Sequence, residues 1–226
     1  MELPSLDRNA PARVEPLVIG DVRYQADWGS ATGRLTAVNA KTNAPLWAVD
    51  LYRIKVVKEL EADVQDVFVT SLRQESPTSL LVEDEHHRVY RVDLEKRQVT
   101  IAVWPVGLRV ISQRPLKVEV QLSNPLTNKV AFDKPSVGFG GSLSNDLFTV
   151  TADGQAVPYA GMMAKRAKPD SFLVLAPGQR FSVELELSDA YAVPPGARSV
   201  EVQFTHHNHF SKDDFDLRSS VVRFTR

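Results

Sequence analysis

Residues 145–191 read NDLFTVTADGQAVPYAGMMAKRAKPDSFLVLAPGQRFSVELELSDAY, and this stretch decides the fold class. Three apolar segments, Leu147–Val150, Phe172–Leu175 and Phe181–Leu187, are separated by turn chemistry. In the last of them Val183, Leu185 and Leu187 fall on one side and Ser182, Glu184 and Glu186 on the other. That period of two is the mark of a half-buried strand. Asp153-Gly154, set between two β-rich runs, predicts a tight hairpin, because glycine reaches φ > 0 without steric cost. Pro177-Gly178 predicts a second turn.

The same pattern extends on both sides. Upstream, Leu108–Ser112 and Leu116–Leu122 read as strands, the latter alternating Leu116, Val118, Val120 and Leu122 with Lys117, Glu119 and Gln121. Asn124-Pro125 turns, Lys129–Phe132 returns, and Val137–Ser144 is a glycine-rich loop. Downstream, Ala192–Ala197 turns into a strand over Ser199–Thr205, residues 206–216 read as a polar loop, and Ser219–Thr225 is a last strand. About seven or eight short strands with regular turns predict an immunoglobulin-like β-sandwich over residues 105–226.

The N-terminal half is also β-rich. Residues 1–16, with Pro4, Pro11 and Pro16, read as an extended arm. Residues 17–104 read as a small β domain: a hairpin over Leu17–Tyr24 turning at Gly20-Asp21, and two alternating segments around Lys41–Ala44. A strand over Asp63–Leu72 follows, then a hairpin of Ser79–Glu83 and Arg88–Leu94 around Asp84–His87, and a strand over Val99–Val103. Lys55–Ala62 could form a helical turn, and Trp47 is the expected packing anchor of its hairpin. The domain boundary is expected at Trp104-Pro105, where proline limits strand continuation. The expectation for the whole is an all-β chain of two domains.

Two resemblances go with these residues. The run FTVTADGQAVPYAGMMAKR…FLVLAPGQRFSVELELSDAY resembles the β-sandwich domain that precedes the catalytic domain in deuterolysin-like and peptidyl-lysine metalloendopeptidases. Asn124-Pro125, Asp153-Gly154, Val157-Pro158-Tyr159, Gly161, Lys165-Arg166, Pro169, Pro177-Gly178, Leu187-Ser188 and Ala190-Tyr191 carry it, over roughly residues 106–226. Those peptidases hold zinc through an HExxH helix, and the sequence has no HExxH. What the resemblance implies is therefore a sandwich fold and a binding role, not peptidase activity. The form GRLTAVNAKTNAPLW resembles one strand-turn-strand unit of quinoprotein-type propeller blades, and small bacterial domains that carry a single such unit. Blades recur about every 40 residues, and only one copy is present.

Composition narrows the function classes. Of 226 residues, 27 are Lys or Arg and 28 Asp or Glu, so the formal charge of −1 offers no general attraction to nucleic acid or an anionic membrane. There is no cysteine, which removes disulfides, thiolate metal ligands and thiol nucleophiles. The first residues lack a basic stretch followed by an apolar core, so the expectation is a cytoplasmic address. No apolar run approaches the roughly 18 residues of a membrane span.

Candidate chemistry sits in four places. His206, His207 and His209 are spaced so that two imidazoles of one strand face could chelate a metal, with Asp213 or Asp214 as an oxygen ligand; a solvated polar loop is the alternative. His86-His87 beside Glu83, Asp84 and Glu85 is a hairpin tip with a potential pH response, or a plain surface turn. Phe139-Gly140-Gly141-Ser142 lacks phosphate-loop spacing and reads as an inter-strand loop. Met162, Met163, Lys165 and Arg166 join adaptable thioethers to basic charge. They are the candidate partner-binding patch, unless the methionines plug the sandwich edge.

No nucleophile elbow occurs, no cofactor motif is present, and no carboxylate pair is singled out. The expected function is non-enzymatic protein binding, accessory to or inhibitory of a peptidase or another secreted enzyme, with no nucleic acid, membrane or cofactor. The alternatives are a metal-binding protein or metal-dependent hydrolase using the histidine cluster, and a structural module of a larger assembly.

Overall fold

The computed structural model describes residues 11–56, 65–163, 172–208 and 214–225. The chain is all-β: among the described residues there is no α-helix, only a single 3-10 turn at Pro135–Val137. It divides into two compact units, residues 1–100 and 101–226. The expected tip of a helix at Lys55 and Val56 is not helical, and residues 57–62 of that expectation lie outside the described set.

In the first unit, β1 (Leu17–Ile19), β2 (Val22–Ala26), β3 (Arg34–Asn39) and β4 (Pro45–Asp50) form a small antiparallel sheet in sequence order. Its turns are where the residue types place them. Gly20 takes φ 59° between β1 and β2. Between β3 and β4, Asn39 Oδ1 accepts the N–H groups of Lys41 and Thr42 at 3.0 and 2.9 Å, the local side-chain turn that asparagine favours. Trp47 packs its ring on Tyr24 at 5.8 Å, as a hairpin anchor should. The described end of the arm, residues 11–16, is tied to this unit. Trp28 Nε1 donates to the Pro11 carbonyl at 2.9 Å, and the Arg13 guanidinium lies 5.0 Å from the Trp28 ring.

The strands β5 (Val69–Ser76), β6 (Ser79–Asp84) and β7 (Val89–Asp93) make an antiparallel meander. The tip between β6 and β7 is where sequence and structure differ most in this unit. Asp84 and Arg88, charged residues beside two histidines, are 0% and 1% exposed. Asp84 Oδ1 accepts the N–H groups of His86 and Arg88 at 2.9 and 3.0 Å, while Oδ2 accepts Arg88 Nε–H at 2.6 Å. Tyr52 covers the guanidinium at 5.4 Å, and its hydroxyl donates to the Val67 carbonyl at 2.9 Å. Burial is the main cause that pushes the Tyr52 phenol far up. The terminal nitrogens of Arg88 meet no acceptor among the described residues, so the pair is desolvated without full compensation. The histidines stay outside this knot: His87, at φ 61°, sets its Nδ1 2.9 Å from Glu83 Oε1.

The second unit begins inside a long strand, β8 (Gln98–Gln113). The expected break at Trp104-Pro105 does not occur. β8 pairs with β9 (Leu116–Ser123) only from Gly107 onward. Pro105, lacking an N–H, therefore precedes that ladder and removes no bond from it. β9 in turn pairs with β14 (Arg180–Glu186). Burial alternates along both strands as predicted, with Leu116, Val118, Val120, Leu122 and Leu185 buried. The outward faces carry charge pairs instead. Arg109 donates to Glu119 Oε2 at 3.0 and 2.6 Å and Ser182 to Oε1 at 2.6 Å. Those bonds, Ser182 first, hold the Glu119 carboxyl down at about 2 and offset the like charge of Glu184 directly opposite.

The remaining strands are β10 (Val130–Asp133), β11 (Phe148–Ala152), β12 (Gln155–Val157), β13 (Phe172–Leu175), β15 (Ser199–Asn208), β16 (Phe215–Ser219) and β17 (Val222–Thr225). Asp153 and Gly154, at φ 51° and 78°, close the β11–β12 hairpin in the primed turn that matches strand twist. β11 pairs with one edge of β15; β17 and β16 share its other edge. β16 runs parallel to β8, which makes the larger sheet mixed. β10 and β13 pair with each other. The expected polar loop over residues 206–216 is thus cut short at both ends: β15 continues to Asn208, and β16 starts at Phe215. Phe215 and Leu217 are buried, and Asp216 and Arg218 alternate with them.

The core of this unit centres on three rings. Trp104, Phe132 and Phe215 lie 5.7–5.9 Å apart, all fully or almost fully buried. The Pro135–Val137 turn ends at Gly138, where φ is 66° and a Cβ would stand 2.7 Å from Leu185; only glycine fits.

Two outcomes test this packing in urea melts of the full chain. Trp104→Ala removes the central ring and lowers stability by about 3–5 kcal/mol. Arg88→Met strands the Asp84 carboxylate and costs a similar 3–5 kcal/mol or so, whereas removing the exposed Arg91 from its pair with Glu75 costs at most about 1 kcal/mol. Equal effects of the Arg88 and Arg91 changes would contradict the burial described for the first.

Candidate functional site

The turn after β14 organises the surface that matters most. Leu187 O accepts the N–H groups of Ala190 and Tyr191 at 3.0 and 2.8 Å, which swings Tyr191 inward. Its hydroxyl donates to Asp146 Oδ1 at 2.5 Å and accepts the Phe148 N–H at 3.1 Å. Burial first, then the Asp146 carboxylate, push the phenol up, so it stays protonated as a donor. One buried tyrosine thereby fixes this turn to the start of β11.

On its outer side the same turn holds the segment that follows β12. Ala160 N–H donates to the Ala190 carbonyl at 2.8 Å, and Tyr159 bridges to Tyr191 with ring centroids 5.3 Å apart. Tyr159 then donates its hydroxyl to the Met162 carbonyl at 2.8 Å. The consequence is that Met162 and Met163, 78% and 67% exposed, stand out from an anchored backbone. They are the most exposed large apolar side chains among the described residues. They do not plug an edge. Lys165 and Arg166, the basic half of the predicted patch, lie outside the described residues.

The histidine cluster is split by the pleat. His206 Nδ1 donates toward the Asp146 carbonyl at 3.1 Å, whereas His207 faces β16. His207 Nδ1 lies 2.8 Å from Asp216 Oδ1 and Nε2 lies 2.5 Å from Asp214 Oδ1, so both ring nitrogens are engaged by carboxylates. No group of three metal-ligating side chains is gathered among the described residues. His209 and Asp213 lie outside them. The glycine loop after Pro135–Val137 presents Phe139, stacked on Phe181 at 5.8 Å and covered by Lys134 at 4.7 Å, rather than a row of N–H donors.

One feature of this surface has no local sequence signal. Between the β8–β9 turn and residues 188–195 lies a groove of about 380 Å³, lined by Pro115, Leu116, Tyr191, Val193 and Pro195, with Arg114 at its lip. Ser188 Oγ accepts the Leu116 N–H at 2.6 Å and ties the two walls together. No helix among the described residues is long and apolar enough to cross a membrane. No protein-family model matches the chain, and no curated protein does.

His207 makes stability depend on pH. The hydrogen bond to Asp216 is the first cause that raises its pKa, with Asp214 adding to it. A raised folded-state value means the stabilisation is fully present below the usual imidazole pKa of about 6.5 and is lost as pH rises through the raised one. In melts compared between wild type and His207→Gln, the difference in Tm is therefore larger at pH 6 than at pH 9. NMR titration of the His207 ring should give a midpoint above the ordinary histidine range, and a midpoint at or below it would contradict the clamp.

Proposed function

We propose that the chain is a non-enzymatic protein-binding module whose second unit is an immunoglobulin-like β-sandwich of the peptidase-accessory kind. The observation that carries this is the exposure of Met162 and Met163 on a backbone fixed by Tyr159 and Ala190. Two large apolar side chains held in water by ordered structure cost free energy that a partner's surface would recover. Methionine suits that task, since its flexible thioether adapts to the shape it meets. The sequence adds Lys165 and Arg166 close by in the chain, so the partner's matching face is apolar with an acidic margin. A peptidase or another secreted enzyme is the partner class that the resemblance implies. The role would be to mask it or to assist its folding.

The test is capture from the source cells on immobilised full-length protein, in parallel with Met162→Glu/Met163→Glu. Both side chains are exposed, so the double variant should melt at the wild-type temperature. A stoichiometric partner held by wild type and weakened at least about tenfold by the double change, which is about 1.4 kcal/mol, supports the proposal. The partner's enzymatic activity with and without the protein then separates masking from folding help. A partner held equally by both proteins, or none at all, removes it.

A further inference from the structure

A groove lies beside the methionine turn. Its walls are the turn joining β8 to β9 and the segment Ser188–Pro195, and its lining is mostly apolar: Pro115, Leu116, Tyr191, Val193 and Pro195. At about 380 Å³ it has room for one or two aliphatic side chains, and it falls in the range of small ligand sites. It shares a backbone with the proposed contact patch. Ala190 accepts the Ala160 N–H on one side of the turn, and Tyr191 and Val193 line the groove on the other.

Arg114 decides what kind of occupant fits. It is the one charged side chain lining the groove, it is exposed, and it makes no ion pair with a described residue. No aspartate or glutamate is among the lining residues. An isolated guanidinium in water gains little from a carboxylate, but beside an apolar wall that excludes water the same pair is stronger. We infer that this groove takes an extended segment of a protein partner, an apolar side chain entering between Pro115, Val193 and Pro195, above the buried Leu116 and Tyr191, while a neighbouring carboxylate pairs with Arg114. The inference rests on the protein-binding function proposed above and gives that partner a recognition sequence: apolar residues beside an acid.

The probe is a synthetic pentapeptide, acetyl-Gly-Leu-Pro-Leu-Glu-amide, with its Gln counterpart as control. Its proline favours an extended backbone. Full-length 15N-labelled protein is titrated with each, and Arg114→Gln and Ala192→Glu variants are titrated alongside. Both positions are exposed, and unchanged amide spectra away from the groove show that the variants fold. The expected result is shifts confined to residues 113–116 and 188–195, at least about fivefold weaker binding of the Gln peptide, and the same loss in Arg114→Gln. Ala192→Glu, which places a negative charge at the groove, abolishes the shifts. Absence of shifts at millimolar peptide, equal binding of the two peptides, or shifts centred elsewhere overturns the inference. The two proposals fail separately: a captured partner lost with the methionine change but retained by Arg114→Gln leaves protein binding standing and removes the groove.

Discussion

Strand β15 is hydrogen-bonded along both edges, and the second unit depends on that double pairing. β11 occupies one edge, while β17 and β16 divide the other between them. The inner side of this ten-residue strand is apolar over its first part and polar at His206 and Asn208. Val200, Val202 and Phe204 are fully buried there, and the run ends on Asn208, also fully buried. Asparagine at that end substitutes for a strand partner: Oδ1 accepts the Asp133 N–H at 2.8 Å and Nδ2 donates to the Ala131 carbonyl at 3.1 Å. A buried side-chain amide has to be satisfied in this way, and satisfying it brings β10 to the end of β15. The Trp104–Phe132–Phe215 cluster is then enclosed by strands whose positions β15 has set.

Tyr191 does comparable work at the other end of the unit. Its ring packs edge-on against Phe148 at 6.3 Å while its hydroxyl bonds Asp146 and the Phe148 N–H. A phenylalanine would keep the packing but leave the Phe148 amide without an acceptor. Because Tyr191 is fixed from the inside, the turn that carries it can offer its outer side to other contacts. The methionine segment and the groove both use that turn. Rigidity and exposure therefore have one source, and a binding surface built so loses little conformational freedom when it is occupied.

How much of this was legible depended on the range of the interactions. β9 and β14 alternate along the chain, the Asp153-Gly154 and Pro177-Gly178 turns carry their own chemistry, and all were readable from a few residues. β16 was not. FDLRS is short, follows an acidic stretch, and is held by a parallel ladder to Val103–Val106, more than a hundred residues earlier. Pro105 marked a break for a related reason: it precedes the β9 ladder and stands opposite Arg218 in the parallel ladder with β16, and neither pairing is visible locally. Asp84 belonged to a hairpin tip that read as a surface turn, and its burial with Arg88 beside Tyr52, remote in sequence, has no local signal. At the candidate site residue type singled out the methionines but left open whether they stand exposed or plug the sandwich edge. The groove was not, because its walls are 72 residues apart and meet through the bond from Leu116 N–H to Ser188 Oγ.

The two histidine positions show why residue type underdetermines chemistry. The pair expected on one strand face was His207 and His209, and His209 lies outside the described residues; His206 and His207 are adjacent in the chain. In a strand, adjacent side chains point to opposite faces, so the pleat separates them before any metal is considered. His207 then meets Asp216, its cross-strand partner in register, and Asp214, reached just before β16 begins. Carboxylates on both ring nitrogens favour the protonated imidazole, and an imidazolium has no lone pair to offer a metal. In its protonated form the residue is a cation joining β15 to β16. Among the described residues, the same histidine–carboxylate composition that suggested a ligand set supplies a strand-to-strand tie set by the register of one ladder.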